Sequence, residues 1–237
     1  MQEVAMSQPI SNRLAIVLLP VVVLIHNTAH NAVFHRWNKL KMYEVQTLPD
    51  LFMGPEKVTV HANLLRTLAF ATLIKCAVGA ALRAFANPQD RAKHKAVFAR
   101  FVLVYATASL LRCATFFVTL LPATAAYCKS PRIGGTYTAD RAPRDLYEVM
   151  FRFDWTHSCG DLLFSGHTIL ITCAYMVTES LLANGTRTLD VFLVYLARLV
   201  MVPFLFLTVY TRKHYTIDVG IATLVTSLLW KYFEFVG

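Results

Sequence analysis

Charged residues are scarce in this chain of 237 residues. Asp, Glu, Lys and Arg make up 16% of the sequence, apolar residues make up 56%, and the mean hydropathy is +0.49. Soluble globular proteins usually carry about 25% charged residues. The deficit excludes a disordered protein and a multi-domain soluble enzyme. An integral membrane protein is the class that fits this composition.

Cysteine is also scarce, with five residues and no C-x-x-C pair. This excludes a disulfide-dense secreted miniprotein and argues against a structural zinc site. Cys76, Cys113 and Cys173 lie within apolar stretches, where a thiol behaves as a small hydrophobic group. Cys128 and Cys159 flank one polar loop, so they either form a disulfide or remain thiols.

The sequence contains no internal repeat, no low-complexity tract and no long linker, so we expect residues 1–237 to form a single domain. Apolar stretches separated by polar segments predict an all-α, polytopic membrane protein with six transmembrane helices. The first stretch lacks a signal-peptide cleavage site and is interpreted as a retained span. The predicted spans cover residues 14–25, 64–85, 97–121, 162–182, 189–210 and 216–235.

The net charge of +9 is the one feature that could suggest a nucleic-acid partner. No basic run accompanies a soluble fold, however, so we predict contact with lipid phosphates and no nucleic-acid partner. Basic residues occur in the predicted loops on both sides of the membrane, and the positive-inside rule therefore leaves the orientation undecided.

Two polar segments stand at the entrances to the fourth and sixth predicted spans, on the same membrane face. Residues 159–168 read C-G-D-L-L-F-S-G-H-T, and residues 214–219 read H-Y-T-I-D-V. In a helix, His214 and Asp218 would lie on one side, where the carboxylate can accept a hydrogen bond from one imidazole nitrogen and leave the other nucleophilic. His167 could transfer protons to and from substrate oxygens.

A lone histidine at a membrane entrance is usually an ordinary polar residue of the interface. Two histidines and an aspartate on one face are harder to explain in that way, because ionisable groups at membrane depth are costly and tend to be functional. The residues by themselves leave both interpretations open: a catalytic or binding cluster, or a set of interfacial polar groups.

The two segments resemble the histidine motifs of the type 2 phosphatidic acid phosphatase superfamily. Their longer strings, C-G-D-x-x-x-S-G-H-T and H-Y-T-x-D-V, resemble its sphingomyelin synthase branch, which makes choline, ethanolamine and inositol phosphosphingolipids. Residues 48–50 (L-P-D) and 112–122 (R-C-A-T, then V-T and L-P) agree with that branch, and the resemblance covers about residues 40–235. Thr208 stands where the superfamily's lipid phosphatases carry Arg, Phe164 replaces an expected proline, and the phosphatase string K-x6-R-P is absent. These differences favour the transferases.

The resemblance implies a transfer of a phospho-headgroup from a phospholipid donor to a ceramide acceptor, with diacylglycerol as the second product. Held by Asp218, His214 would attack the phosphorus and form a phosphohistidine. His167 would protonate the departing diacylglycerol oxygen and then deprotonate the ceramide hydroxyl. No cofactor and no metal ion is expected, and the histidines at positions 26, 30 and 35 have no acidic or thiol companion for a metal site.

The resemblance also suggests substrate-binding residues, for each of which a structural role is the alternative: Asp50, Arg112, Asp161, Ser165 and Arg212. For Asp161 the alternative is a helix cap, and for Arg112 it is a side chain that reaches out of the membrane. For Arg212 the alternative is a solvated basic residue at a helix start.

The resemblance further implies a multi-pass enzyme of the Golgi, endoplasmic reticulum or plasma membrane, with its site facing the lumen or the exterior. It leaves a homo-oligomer possible. The N-terminal interaction domain of the family has no counterpart before the first span, so we expect no regulation through it. Two other functions remain as alternatives: a lipid phosphate phosphatase or phospholipase C-like hydrolase, in which water replaces ceramide, and a non-catalytic transporter or scaffold.

Overall fold

The computed structural model describes residues 12–55, 59–125, 128, 142–152 and 159–236. These ranges are helical and contain no β-strand, which confirms the all-α prediction. Short 3₁₀ turns lie at Met42–Glu44 and Pro88–Asp90. In chain order the helices are α1 (Asn12–Lys39), α2 (Val60–Ala86), α3 (Arg91–Val118), α4 (Leu146–Phe151), α5 (Gly166–Leu182), α6 (Thr188–Tyr210) and α7 (Thr216–Val236).

Four segments of the described chain are long and apolar enough to cross a membrane: Val17–Lys39, Val60–Ala86, Pro88–Val118 and Thr188–Tyr210. The prediction of six spans is therefore not confirmed, because α5 and α7 are not among the four. α5 has 17 residues. At 1.5 Å per residue that corresponds to about 26 Å, which is less than the hydrocarbon core of about 30 Å. α7 carries an aspartate in its first turn.

The first helix continues far beyond the predicted end at residue 25, as far as Lys39. Its polar residues find partners across the fold. The side-chain amides of Asn27 and Asn31 both donate to the carbonyl of Arg152, at 2.9 and 2.6 Å. Because tertiary hydrogen bonds engage the NH2 groups of these amides, the helix continues through residues whose hydropathy predicted a loop.

α5 occupies the centre of the helix bundle and packs against α2, α3, α6 and α7. Its residues Ile169, Ile171 and Cys173 are at most 1% exposed. Large apolar side chains on the outer helices point away from the bundle, as expected for contact with lipid: Leu82, Leu199 and Leu228 are more than 60% exposed. The most enclosed helix is thus the one that carries the first histidine motif at its start.

A second apolar cluster lies beneath the polar segment that precedes α5. Phe34 and Trp37 of α1 pack there against Cys128 and Cys159, which are joined by a disulfide. The structure therefore selects the bonded form from the two that the sequence leaves open. The disulfide fixes the first residue of the first histidine motif to the segment after α3.

Candidate active site

A cavity of about 470 Å³ lies where the start of α5 meets α1, α2 and α3. Apolar side chains such as Val22, Phe70 and Leu170 line part of it. This combination suits a ligand with a charged polar end and an apolar body. Its histidine, basic and acidic side chains come from five separate segments of the chain: His26, His30, Arg66, Arg112, Asp161, His167, Lys213 and His214.

His167 enters the cavity from the first turn of α5. The hydroxyl of Ser165 caps this helix by accepting a hydrogen bond from the N–H of Thr168 at 3.2 Å. The His167 ring lies 6.4 Å from the ring of His214, between centroids. Ser165 itself is fully buried and is not among the described residues that line the cavity, so the structure places its hydroxyl at the helix cap.

His214 immediately precedes α7, because that helix begins at Thr216. Its neighbour Asp218 accepts a hydrogen bond from the N–H of Tyr215 at 3.0 Å, in the manner of a capping box. The same carboxylate oxygen lies 3.5 Å from Nδ1 of His214. The two side chains are neighbours as expected, but a turn that closes on the helix start brings them together, and not a shared helix face.

Nδ1 of His214 has a second acceptor within reach, the carbonyl oxygen of Leu162 at 3.2 Å. A carbonyl oxygen can only accept, so Nδ1 carries the proton. Nε2 is then left with its lone pair, which is the form that a nucleophilic imidazole needs. The side chain is buried, with 6% exposure of the residue. The segment that contains Leu162 therefore orients His214 together with Asp218.

Arg112 of α3 holds that segment in place. Its Nε donates to the carbonyl of Phe164 at 2.5 Å, and its Nη2 donates to the carbonyl and to the carboxylate of Asp161 at 2.6 and 2.5 Å. Nη1 lies 2.5 Å from Nε2 of His26. These contacts satisfy a guanidinium that is 3% exposed, as a buried cation requires.

Thr115, one turn further along α3, supports the same segment. Its hydroxyl donates to the carbonyl of Leu163 at 2.8 Å. Arg112 and Thr115 together therefore bind the carbonyls on both sides of Leu162, and the Leu162 carbonyl is directed towards His214.

Two glycines of the first motif allow the close packing that this arrangement needs. A Cβ atom on Gly166 would lie 3.4 Å from Nε of Arg112, and one on Gly160 would lie 2.9 Å from Cβ of Trp37. A larger residue at Gly160 would push the segment away from α1, whereas a Cβ atom on Gly166 would only touch the Arg112 guanidinium.

Asp50 and Arg212 lie outside the cavity and support the turn before α7. The Asp50 carboxylate accepts from the N–H and the hydroxyl of Thr216 at 2.6 and 2.7 Å. Arg212 has a left-handed backbone with a φ of 57°. Its guanidinium donates to the carbonyls of Thr124 and Gly54, each at 3.0 Å. Both residues therefore act on the position of His214 and not on the cavity lining.

We expect Asp50→Ala to lower the stability of the fold by about 1 kcal/mol, the usual effect of losing a helix cap. Burial raises the pKa of Asp50, but hydrogen bonds from Thr216 and Phe52 outweigh it and hold that pKa below its ordinary value. Such a carboxylate stabilises the fold above its ordinary pKa and loses this effect as the pH falls through the folded-state value. Thermal unfolding should therefore separate the variant from the wild type at pH 7 and bring them together in strong acid.

Asp90→Ala is the matched control for this measurement. Asp90 lies next to the start of α3, but its side chain makes no capping hydrogen bond to that helix. An equal loss of stability in the two variants would contradict the capping role of Asp50.

Arg66, His26 and His30 line the cavity although no motif pointed to them. Arg66 lies within an apolar stretch, where a charged residue is costly. Its position is therefore a signal in the sequence that could have indicated a functional site. His26 and His30 are four residues apart and share a helix face. Of the basic residues Arg212 and Lys213, which precede His214, only Lys213 is among the described residues that line the cavity. Burial is the larger cause that lowers the pKa of Lys213, and the charge of Arg66 lowers it further.

Within the described ranges, no group of three or more His, Cys, Asp or Glu side chains could hold a metal ion.

Comparison with known proteins adds an independent observation. Residues 158–235, which contain both histidine motifs, match the family described as PAP2 superfamily C-terminal. Over 137 residues the chain is 34% identical to phosphatidylinositol:ceramide inositolphosphotransferase 3 of Arabidopsis thaliana, a match that covers 56% of this chain and 44% of that protein.

Two further relatives have names that refer to related lipids. The chain is 30% identical over 146 residues to phosphatidylcholine:ceramide cholinephosphotransferase 1 of Homo sapiens, covering 59% of this chain and 34% of that protein. It is 31% identical over 150 residues to sphingomyelin synthase-related protein 1 of Mus musculus, covering 60% of this chain and 30% of that protein. In each case the match spans less than half of the relative's length.

Proposed function

Because the chain belongs to the sphingomyelin synthase family, within the type 2 phosphatidic acid phosphatase superfamily, we propose that it is a phospholipid:ceramide phospho-headgroup transferase. The observation that carries the proposal is the pair of histidines, His167 and His214, that lines one cavity and has rings 6.4 Å apart. That spacing allows a single phosphoryl group to be reached from both sides.

The first step transfers the headgroup to the protein. Nε2 of His214 attacks the phosphorus of the donor, and the bond between phosphorus and the diacylglycerol oxygen breaks. Protonated His167 gives its proton to that oxygen, and diacylglycerol leaves. The Leu162 carbonyl and Asp218 hold the Nδ1 proton and stabilise the positive charge that develops on the His214 ring.

The second step transfers the headgroup to the acceptor. His167, now neutral, removes the proton from the primary hydroxyl of ceramide. The ceramide oxygen attacks the phosphorus, and the bond between phosphorus and Nε2 breaks, which restores both histidines. Phosphoryl transfer depends mainly on positioning and charge stabilisation, and Arg66, Arg112 and Lys213 provide positive charge around the cavity.

In the proposed topology α5 and α7 complete a set of six spans, with the site on the lumenal or exterior side of the Golgi, endoplasmic reticulum or plasma membrane. α5 can be short because its first turn ends at the cavity and other helices surround it. The disulfide between Cys128 and Cys159 supports this orientation, since both residues line the cavity and disulfides persist in oxidising compartments.

This topology predicts that Asn184 carries no glycan when the protein is made in eukaryotic cells. Asn184 begins an N-x-T sequon in the exposed turn between α5 and α6, at the far end of α5 from His167. We expect glycosidase treatment and the Asn184→Gln substitution to leave the electrophoretic mobility unchanged. A sequon made on the other side, by Arg144→Asn with Leu146→Thr, serves as the positive control. A glycan on Asn184 would place the site in the cytosol.

The proposed activity is tested with the purified protein and labelled phosphatidylcholine, phosphatidylethanolamine or phosphatidylinositol, each with and without ceramide. We expect a phosphosphingolipid and diacylglycerol in equal amounts, formed only when ceramide is present. Release of free phospho-headgroup at the same rate without ceramide would contradict the transferase and favour a hydrolase. No conversion of any donor would contradict both enzymes.

A further inference from the structure

One wall of the cavity, formed by α1, takes no part in the proposed transfer. His26, Asn27 and His30 line it. His30 is 7% exposed, and its Nδ1 has no hydrogen-bond partner within the described part of the chain. Its Nε2 lies 3.6 Å from the Asp161 carboxylate. A buried imidazole nitrogen without a partner is costly unless a ligand or water completes it, so this wall can accept further hydrogen bonds.

The contact with Arg112 determines which nitrogen of the His26 ring carries a proton. An arginine has only donors, so Nε2 of His26, at 2.5 Å from Nη1, is the acceptor. Nδ1 of His26 therefore carries the proton in the neutral ring. The α1 wall thus offers imidazole nitrogens and an amide, which suit a ligand rich in hydroxyl groups.

The charge of the cavity favours a headgroup that brings no cation. Three cationic side chains line it, Arg66, Arg112 and Lys213, and Asp161 is the single acidic residue in the described lining. That carboxylate is already paired with Arg112 at 2.5 Å. An ammonium group would enter a cavity of like charge, whereas a headgroup with net negative charge would be attracted.

The apolar part of the lining does not favour a quaternary ammonium either. Such groups bind over the faces of Trp, Tyr or Phe. Apart from histidines, the aromatic residues among the described lining are Phe70 and Tyr105. Phe70 makes an edge contact with the ring of His167, at 6.0 Å between centroids. These two rings do not make the multi-sided cage that ammonium ligands prefer.

Resting on the proposed function, we propose that the headgroup transferred is inositol phosphate and that His26 and His30 determine this specificity. The two imidazoles bind hydroxyl groups of the inositol ring, while Arg66 and Lys213 face the phosphate. The bonds that form and break are those of the proposed reaction, so the headgroup specificity adds no chemical step.

The test is a competition among donors. The purified protein is incubated with ceramide in vesicles that contain equal amounts of phosphatidylinositol, phosphatidylcholine and phosphatidylethanolamine, and the three products are measured by mass spectrometry. We expect the inositol product to exceed each of the others at least about tenfold, the ratio that one lost hydrogen bond of 1.4 kcal/mol produces. His30→Leu should reduce inositol transfer about tenfold and change the other two transfers by less than about threefold.

His35→Leu is the matched control, because His35 lies on the same helix but its Nδ1 is 2.6 Å from the Pro143 carbonyl, outside the described cavity lining. It should leave the product ratio unchanged. His30→Gln retains hydrogen-bonding groups and should keep the ratio closer to that of the wild type than His30→Leu does.

The outcomes separate the two proposals. Equal or greater transfer of choline or ethanolamine by the wild type overturns the inositol specificity and leaves the transferase intact, whereas no product from any donor overturns the transferase itself. If His30→Leu does not fold, inhibition of the wild type by soluble inositol phosphate and by phosphocholine decides the matter. Inositol phosphate should inhibit at a concentration about tenfold lower, and equal inhibition overturns the specificity.

Discussion

Headgroup transfer is lost when His214 is replaced by alanine: we expect the rate to fall at least about a thousandfold, the loss typical of removing a nucleophile that acts with its base as one unit. The physical reason is that the Leu162 carbonyl and Asp218 keep the proton of His214 on Nδ1, which leaves the lone pair of Nε2 free to attack phosphorus. The measurement is the rate of product formation from labelled phospholipid and ceramide, compared at equal amounts of folded protein.

His61→Ala provides the matched control for this loss. His61 is exposed in the first turn of α2 and is not among the described residues that line the cavity. We expect it to retain more than half of the activity. Transfer by His214→Ala at more than about a tenth of the wild-type rate would contradict the nucleophilic role and require another acceptor for the phosphoryl group.

The second large effect is expected from Arg112→Met, which keeps the length of the side chain but removes its charge and donors. The Asp161 carboxylate then loses its cation, and the segment that positions His214 loses its anchor on α3. We expect a loss of stability of about 3 kcal/mol, typical of breaking a buried ion pair. Transfer should fall at least about a hundredfold, because the Leu162 carbonyl no longer orients His214.

Arg83→Met separates stability from activity in this experiment. Arg83 pairs with Asp190 at 2.5 Å, and its side chain is 26% exposed compared with 4% for Arg112. This ion pair joins α2 to α6 away from the cavity lining, so its loss should lower the unfolding temperature but leave the specific activity of the folded protein within about threefold. Equal losses of specific activity in the two variants would contradict a positioning role for Arg112.

The roles of the motif residues show where a sequence pattern is ambiguous. Ser165 and Asp50 belong to strings that resemble a phosphotransferase, and a substrate contact is a natural expectation for both. In the structure their oxygens accept hydrogen bonds at the starts of α5 and α7. A polar side chain in a motif can therefore serve to fix the backbone next to a proposed catalytic residue, and residue type does not distinguish this role from a substrate contact.

The α1 wall shows the opposite case, in which residues that line the cavity belong to no recognised motif. The sequence places His26 and His30 at a polar exit from a short first span, where a metal site is the function that their spacing suggests. The exit does not exist, because Asn27 and Asn31 find partners on the segment that contains α4 and the helix continues. The polar residues of α1 thereby remain at the depth of the cavity, where each of them needs a partner.

The sequence by itself determined the membrane class, the helical fold and the two histidine motifs, because composition and short motifs are local properties of the chain. Tertiary structure alone decided how far α1 extends, which oxygens cap the helices and which cations surround the cavity. The decisive contacts are distant in sequence: 86 residues separate His26 from Arg112, and 52 separate Leu162 from His214. Such contacts depend on how whole helices pack, and no pattern within one segment specifies them.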